Sequence, residues 1–221
     1  MSDSDRASSQ PSFWDPRYAA HNHLFGAEPN AFVAAEAHRL PPHCTVVELG
    51  AGEGRTVAWL CAEHGHRGTA VDFSATALRQ ADRWAEREGL PLQTVEADVR
   101  TWAPDRQWDA VIVTFLQLLP SERPVLYRLM RSIVRPRGWI LGEWFRPAHL
   151  TDDAYDRIGP SRADRMVPPD EVRQAFGDDH LHRCDAVDVQ LNEGELLSGR
   201  AAVVRLVAQR REPDSTRDGS D

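Results

Sequence analysis

The stretch Val46-Val-Glu-Leu-Gly-Ala-Gly-Glu-Gly-Arg55 decides how the chain is read. It joins an apolar, β-branched run to three glycines on alternate positions. The following "TVAWLCAEHG" has apolar residues at helical spacing and stops at Gly65. That order predicts a buried strand, a tight turn and a helix. Glycine has no Cβ, so it adopts left-handed backbone angles freely and lets a ligand come up against the main chain. Glu48 stands two residues before the first glycine. An acid at that mouth repels phosphate and attracts a cation, and the third glycine comes one position early for the Gly-x-Gly-x-x-Gly of dinucleotide-binding turns.

Outward from this stretch, strand and helix signals alternate. "GTAVD" (68–72) reads as a strand, and "SATALRQADRWAEREG" as a helix that Ser74 caps and Gly89 ends. "LQTVEAD" and "WDAVIVTF" supply two more strands. A helix over 122–134 follows, and "RPRG" turns the chain into the strand "WILGEWF". Alternation of this kind predicts an α/β fold: a doubly wound, mostly parallel (Rossmann-like) sheet with helices on both faces. Beyond the loop "GPSRADRMVPP", a helix over 170–176 precedes two alternating segments, "CDAVDVQL" and "AAVVRLVAQ". These predict a C-terminal antiparallel hairpin on one edge of the sheet.

The 221 residues, 41% of them hydrophobic, suffice for one domain with one sizeable core. Residues 1–11 and 211–221 are rich in Ser, Asp and Pro and are expected to be disordered. A formal net charge of -8 argues against nucleic acid and anionic membranes as partners. No apolar run is long enough to cross a bilayer, and "MSDSDRASSQPS" lacks the pattern of a secretory signal, so a cytoplasmic location is expected. Cys44, Cys61 and Cys184 are odd in number and far apart, which reads as reduced thiols. The pairs His21/His23, His64/His66 and His180/His182 lack the helical i, i+4 spacing of a zinc site, and no metal is assigned. Arginines 123, 128, 131, 135 and 137 read as a solvated face. The sequence sets no oligomeric state.

With the elements in place, the residues carry a resemblance. Glu48-Leu-Gly50-Ala-Gly52-Glu-Gly54 resembles the first motif of class I S-adenosylmethionine (SAM)-dependent methyltransferases, which lies between the first strand and helix of that fold. The resemblance continues to Asp72, at the end of the second strand, where the family's acid binds both ribose hydroxyls. It reaches Ala97-Asp98-Val99 after the third, where the family places its adenine contact, and "WDAVIVTFLQLL" at the fourth. It spans residues 44–145 in order. It implies SAM as cofactor, bound by Glu48, Gly50, Ala51, Gly52, Gly54, Asp72, Phe73, Asp98, Val99 and Thr114. Upstream, "FWDPRYAAHNHLFGAEPNAFV" is similar to the entry segment of methyltransferases of the tellurite-resistance and thiol methyltransferase types. There the N-terminal segment folds over the SAM cleft. This implies a lid over 12–40 on a core of 41–210, with Trp14, Arg17, Tyr18 and Asn30 as cofactor or substrate contacts. It further implies a small-molecule acceptor, a thiol or chalcogen nucleophile among the choices.

Plainer readings stand beside these. Asp72 is placed to cap the next helix, although Ser74 already does so. Asp98 reads also as a solvated turn residue, and Trp14 with Tyr18 as a hydrophobic clasp. No catalytic residue is assigned, and the lack of an evident general base favours a soft or already ionised nucleophile. The acceptor is expected between the lid, Thr114–Gln117 and Phe145–His149. Two rival functions remain: a non-catalytic SAM-binding regulator, and an NAD(P)-dependent oxidoreductase, which would want the glycine spacing this chain lacks.

Overall fold

The computed structural model describes residues 8–212, so the disorder expected of 1–7 and 213–221 lies outside the described residues. One seven-stranded sheet has the order β3-β2-β1-β4-β5-β7-β6. Strands β1 (Thr45–Leu49), β2 (Arg67–Asp72), β3 (Leu92–Glu96), β4 (Trp108–Thr114) and β5 (Val134–Phe145) run parallel. Strands β6 (His180–Glu193) and β7 (Leu197–Gln209) add the antiparallel hairpin at one edge. The fold is the α/β sandwich that the alternation predicts.

Helices α1 (Pro11–Ala20) and α2 (Ala31–Glu36) precede the sheet, and α3 (Arg55–His64), α4 (Ala75–Glu88) and α5 (Arg123–Ile133) fill the crossovers. After β5 come the single turn α6 (Ala148–Thr151) and α7 (Pro169–Ala175). The start and stop signals act as expected in α4: Ser74 Oγ accepts the N–H of Ala77 at 3.2 Å, and Gly89 ends the helix in a left-handed conformation.

Neighbouring strand residues point to opposite faces, so a strand that is apolar throughout is buried on both. Val46, Ala110, Ile112, Leu141 and Val207 pack with Phe32 and Val33 of α2 and Leu60 of α3. Val47, Val111, Val113, Ile140 and Leu206 belong to the other cluster, with Leu126, Met130 and Ile133 of α5 and Phe176. Each such side chain larger than alanine contributes about 1.5–3 kcal/mol when fully buried.

Three boundaries differ from expectation. "RPRG" does not precede β5 but bulges within it: Trp108 pairs with Val134, the next pair is Ala110 with Trp139, and Arg137 takes φ +63°. Pro136 has no N–H to give the ladder, which breaks the pairing locally without ending the strand. Strands β6 and β7 pair from Glu193↔Leu197 back to His180↔Gln209, further than their apolar alternation reaches, because an edge strand tolerates polar residues on both faces. Residues 8–11, expected to be disordered, are packed. Ser9 is buried, its carbonyl accepting from Arg100 and its hydroxyl from Arg165, and Pro11 opens α1.

Candidate active site

Strand β1 lies between β2 and β4, so the strand order reverses there. Ligands in such sheets bind beyond the carboxyl ends of the strands at that switch point. A cavity of about 490 Å³ opens at this place, within the range of small-molecule sites.

The glycine turn forms one side of it. Gly50, Gly52 and Gly54 have φ of +69°, +55° and +70°. At Gly52 conformation and space both demand glycine, since a Cβ there would lie 2.5 Å from Tyr18 Oη. The turn is tied to the end of β2: the N–H groups of Gly50 and Ala51 donate to the Val71 carbonyl at 2.8 and 3.0 Å. That of Gly52 donates to Asp72 Oδ2 at 2.8 Å, and that of Gly54 to the Ala51 carbonyl at 2.9 Å. A pyrophosphate-binding turn aims such N–H groups at its ligand; here all four are spent inside the protein.

Three acids line the same cavity. Glu48 is buried and accepts the N–H of Val57 at 3.1 Å. Burial pushes its carboxyl up to about 7, against the pull of Arg55, of the Val57 N–H and of the Thr114 hydroxyl, with the negative charge of Asp72 adding to the rise. Asp72 accepts from Gly52 through Oδ2 and from Ser74 through Oδ1, both at 2.8 Å; burial still raises its pKa, and Asp15 adds to that. Asp98 is no free turn residue. Arg100 grips it with Nε at 2.8 Å from Oδ1 and Nη2 at 2.5 Å from Oδ2, which holds its carboxyl below the ordinary range.

Helix α1 closes the cavity from above. Trp14 and Tyr18 pack with Leu24, Phe25 and Ala77 and also line the cavity, so the clasp and the contact role coincide. Asp15 Oδ1 accepts the Ser74 hydroxyl at 2.6 Å, and Glu53 accepts the N–H groups of His23 and Leu24 at 2.7 Å each. Glu53 thereby fastens the lid to the glycine turn. Burial, with Asp72 and Glu53 nearby, raises the Tyr18 pKa well above its usual value, so this phenol stays neutral.

Of the residues singled out in the sequence, Trp14, Arg17, Tyr18, Glu48, Gly50, Ala51, Asp72, Phe73, Asp98, Val99 and Thr114 line the cavity. Gly52 and Gly54 do not. Gly52 faces the lid, and Gly54 packs against Val57, Ala70 and Ala81. Asn30 is a structural pin: its Oδ1 caps α2, and its Nδ2 donates to Glu143 at 2.6 Å and Glu193 at 2.9 Å, all fully buried. His21 and His23 also stay outside the cavity.

Of the segments expected to receive the acceptor, Thr114–Gln117 lines the cavity, with Leu118 beyond it, and 145–149 does not. His149 is buried and accepts the Ala202 N–H at Nδ1 (3.3 Å), which leaves Nε2 to donate to the Ile158 carbonyl at 2.8 Å. It supports the segment 157–162, which lines the cavity in its place. Phe115 at the end of β4 takes φ +54°, an uncommon conformation for a bulky residue and one that clusters at functional sites. Arg55, Arg100 and Arg165 also line the cavity. Sequence reading passed over them: the partners of Arg55 and Arg165 lie far along the chain, and no motif singles out Arg100 although it pairs with Asp98 two residues before it.

Comparison with known proteins now bears on this site. Residues 46–138 match the family model described as "Methyltransferase domain". Over these residues the chain is similar to a methyltransferase domain. The trans-aconitate 2-methyltransferase of Escherichia coli O157:H7 (strain EC4115 / EHEC) is 29% identical over 164 residues, 67% of this chain and 60% of that enzyme. The chain thus spans about three fifths of the length of such relatives. TehB from Haemophilus influenzae has a TM-score of 0.69 at 17% identity over 91% of this chain and 67% of TehB. The 1,6-didemethyltoxoflavin-N1-methyltransferase of Burkholderia thailandensis, solved with S-adenosylhomocysteine (SAH), has 0.66 at 19% over 96% and 92%. The two structures share the fold. Three acids beside a turn that spends the N–H groups of Gly50, Ala51, Gly52 and Gly54 internally suit a cationic, phosphate-free nucleoside such as SAM better than a pyrophosphate. Among the described residues, no helix is long and apolar enough to cross a membrane.

Proposed function

We propose that the chain transfers the methyl group of SAM to a small-molecule acceptor enclosed beneath α1. The observation that carries this reading is the glycine turn, with the N–H groups of Gly50, Ala51, Gly52 and Gly54 spent internally, beside a cavity lined by Glu48, Asp72 and Asp98. Each Asp72 oxygen takes one backbone N–H and retains acceptor capacity for a ribose hydroxyl. Asp98, Val99 and Phe73 serve the adenine. Glu48 and Thr114 receive the methionine ammonium, and Arg17 its carboxylate. Bound there, SAM supplies an electrophilic methyl that an acceptor lone pair takes while the carbon–sulfur electrons return to sulfur.

The protein's part is to align the partners and exclude water, a contribution that reaches about 7–11 kcal/mol in ideal cases. Among the described residues that line the cavity there is no His, Lys or Cys, Tyr18 stays neutral, and the carboxylates Glu48, Asp72 and Asp98 are taken up by the cofactor in this reading. The nucleophile therefore arrives ionised or with a free lone pair. A thiolate or chalcogen acceptor meets that condition, as the entry segment "FWDPRY" suggests, and so does a carboxylate. The relatives named for trans-aconitate and 1,6-didemethyltoxoflavin support the class, a small molecule, without fixing either compound. We place the enzyme in the cytoplasm, a reading that the three free, buried cysteines fit.

The test is SAH release, followed by mass spectrometry, from SAM and a panel of thiols, selenide, phenols and small acids. Turnover with at least one acceptor is expected. SAM binding with no SAH above background across the panel would favour the non-catalytic regulator instead.

A further inference from the structure

We infer that Leu196, in the turn of the C-terminal hairpin, selects the acceptor by receiving an apolar part of that molecule. The inference rests on the methyltransferase reading and names a feature of its substrate, an alkyl or aryl body attached to the reacting atom. Leu150 and Leu196 are the two large apolar side chains among the described residues that stay exposed, at 43% and 46%. Leu150 lies outside the cavity, whereas Leu196 lines it. A single exposed leucine on an outer surface is ordinary. One in the wall of a small-molecule cavity meets whatever that cavity takes up.

Leu196 does not stand alone. Phe25, Phe115 and Ile158 are half-buried, pack on the cluster that holds Phe145, Met166 and Leu197, and also line the cavity. They come from the lid loop, the end of β4 and the segment after α6. With Leu196, next in the chain to Leu197, they give the cavity an apolar lining. The arginines around it are engaged by the protein or by water. Arg55 is bound to Glu193, Arg100 to Asp98 and Glu122, and Arg162 to Asp164. Arg165 donates to Ser9 Oγ at 2.7 Å and the Gln117 carbonyl at 2.9 Å and faces Glu122 and Asp164, while Arg157 is exposed. What Leu196 and its neighbours offer an acceptor is apolar contact.

The turn that carries Leu196 is held on two sides. Glu193 is buried, accepts Asn30 Nδ2 at 2.9 Å and pairs with Arg55 at the start of α3. Gly194 takes φ +72° and lies so close to the lid loop that a Cβ on it would stand 2.5 Å from the Gly26 nitrogen. Leu196 is thereby presented on a turn fastened to both the lid and the helix after the glycine turn. An apolar surface fixed in advance costs little ordering when a ligand covers it, and the water it sheds favours an alkyl or aryl group in its place. For a thiolate on such a body, sulfur bonds to the methyl carbon, the carbon–sulfur bond of SAM breaks and its electron pair returns to sulfur. A thioether and neutral SAH result with no proton moved.

The full-length protein is first titrated with SAH, and the SAH-saturated protein with alkyl thiols and 4-alkylphenols whose chains run from two to six carbons. Hexanethiol is set against its hydroxyl-ended counterpart, 6-mercaptohexanol. Turnover of the same compounds with SAM follows. From two to six carbons, affinity and kcat/KM should rise at least about tenfold, and the hydroxyl end should lose about fivefold. Leu196→Ser should raise KM for hexanethiol about fivefold at unchanged kcat and SAH affinity, and Leu196→Met should restore it. Leu150→Ser, outside the cavity, should change none of these. A flat series, neglect of both series by a protein that binds SAH, or a Leu196→Ser protein that handles hexanethiol as the wild type does overturns the proposal. So does a loss of self-association in Leu196→Ser at unchanged KM, which would assign the leucine to a subunit interface. Failure of the wild type to bind SAH brings down the methyltransferase reading and this inference with it.

Discussion

Replacing Gly52 with alanine strikes the contact by which the lid rests on the glycine turn. An L residue in the left-handed region costs about 1–2 kcal/mol. The new Cβ would also stand 2.5 Å from Tyr18 Oη and 3.2 Å from its Cζ. Comfortable carbon contacts begin at about 3.5 Å, so the phenol must retreat by roughly 1 Å. Tyr18 is wedged among Trp14, Leu24, Phe25 and Ala77, and overpacking of this kind costs about 1–3 kcal/mol more. The sum is about 2–5 kcal/mol, or a fall of about 5–15 °C in Tm for a domain of this size. Tyr18→Phe removes the atom in closest conflict. The double variant should therefore recover most of the overpacking and retain the backbone strain. Urea unfolding followed by tryptophan fluorescence gives all four corners of the cycle. A Gly52→Ala cost below about 1 kcal/mol, or no recovery by Tyr18→Phe, would refute the lid contact.

Three further outcomes follow from the site. Because burial raises the Glu48 carboxyl to about 7, the empty protein should lose stability as pH rises from the usual carboxylate range through 7. Over pH 6.0–7.5 the ionised fraction grows roughly eightfold, and affinity for SAH should grow with it; a flat profile, or an unchanged slope in Glu48→Gln, contradicts the ammonium contact. Asn30→Ala takes a donor from the buried carboxylates Glu143 and Glu193 and should cost about 2–4 kcal/mol in denaturant melts. The folded fraction should still bind SAH as the wild type does, and a large loss would return Asn30 to the site. Glu53→Ala frees the N–H groups of His23 and Leu24, so limited proteolysis should cut within 21–26 sooner than in the wild type.

The parallel core was legible because its signals are local. The β-branched run at 45–49, Ser74 and Gly89 each act within a few residues, and the family resemblance picks out Asp72 and Asp98 from their places after the second and third strands. What escaped depends on partners far apart in sequence. Asn30 was read as a contact in the entry segment, yet its partners sit 113 and 163 residues away. Glu53 lay inside the deciding motif without a visible role, since the N–H groups it accepts belong to a loop 29 and 30 residues upstream. The acceptor wall was placed at 145–149 because those residues follow β5 directly. His149 instead packs inward and hands the wall to 157–162, a choice fixed by the Ala202 N–H on β7. Arg137 and Pro136 read as a turn because a bulge uses the same residues.

The central claim is that the glycine turn and Asp72 hold SAM. Calorimetric titration of the purified protein with SAH, repeated on Asp72→Ala, tests it most directly. Micromolar binding to the wild type, weakened at least about tenfold in a variant shown by circular dichroism to be folded, is the expected result. A folded wild type that binds neither SAH nor SAM, or an Asp72→Ala protein that binds SAH equally well, would contradict the account.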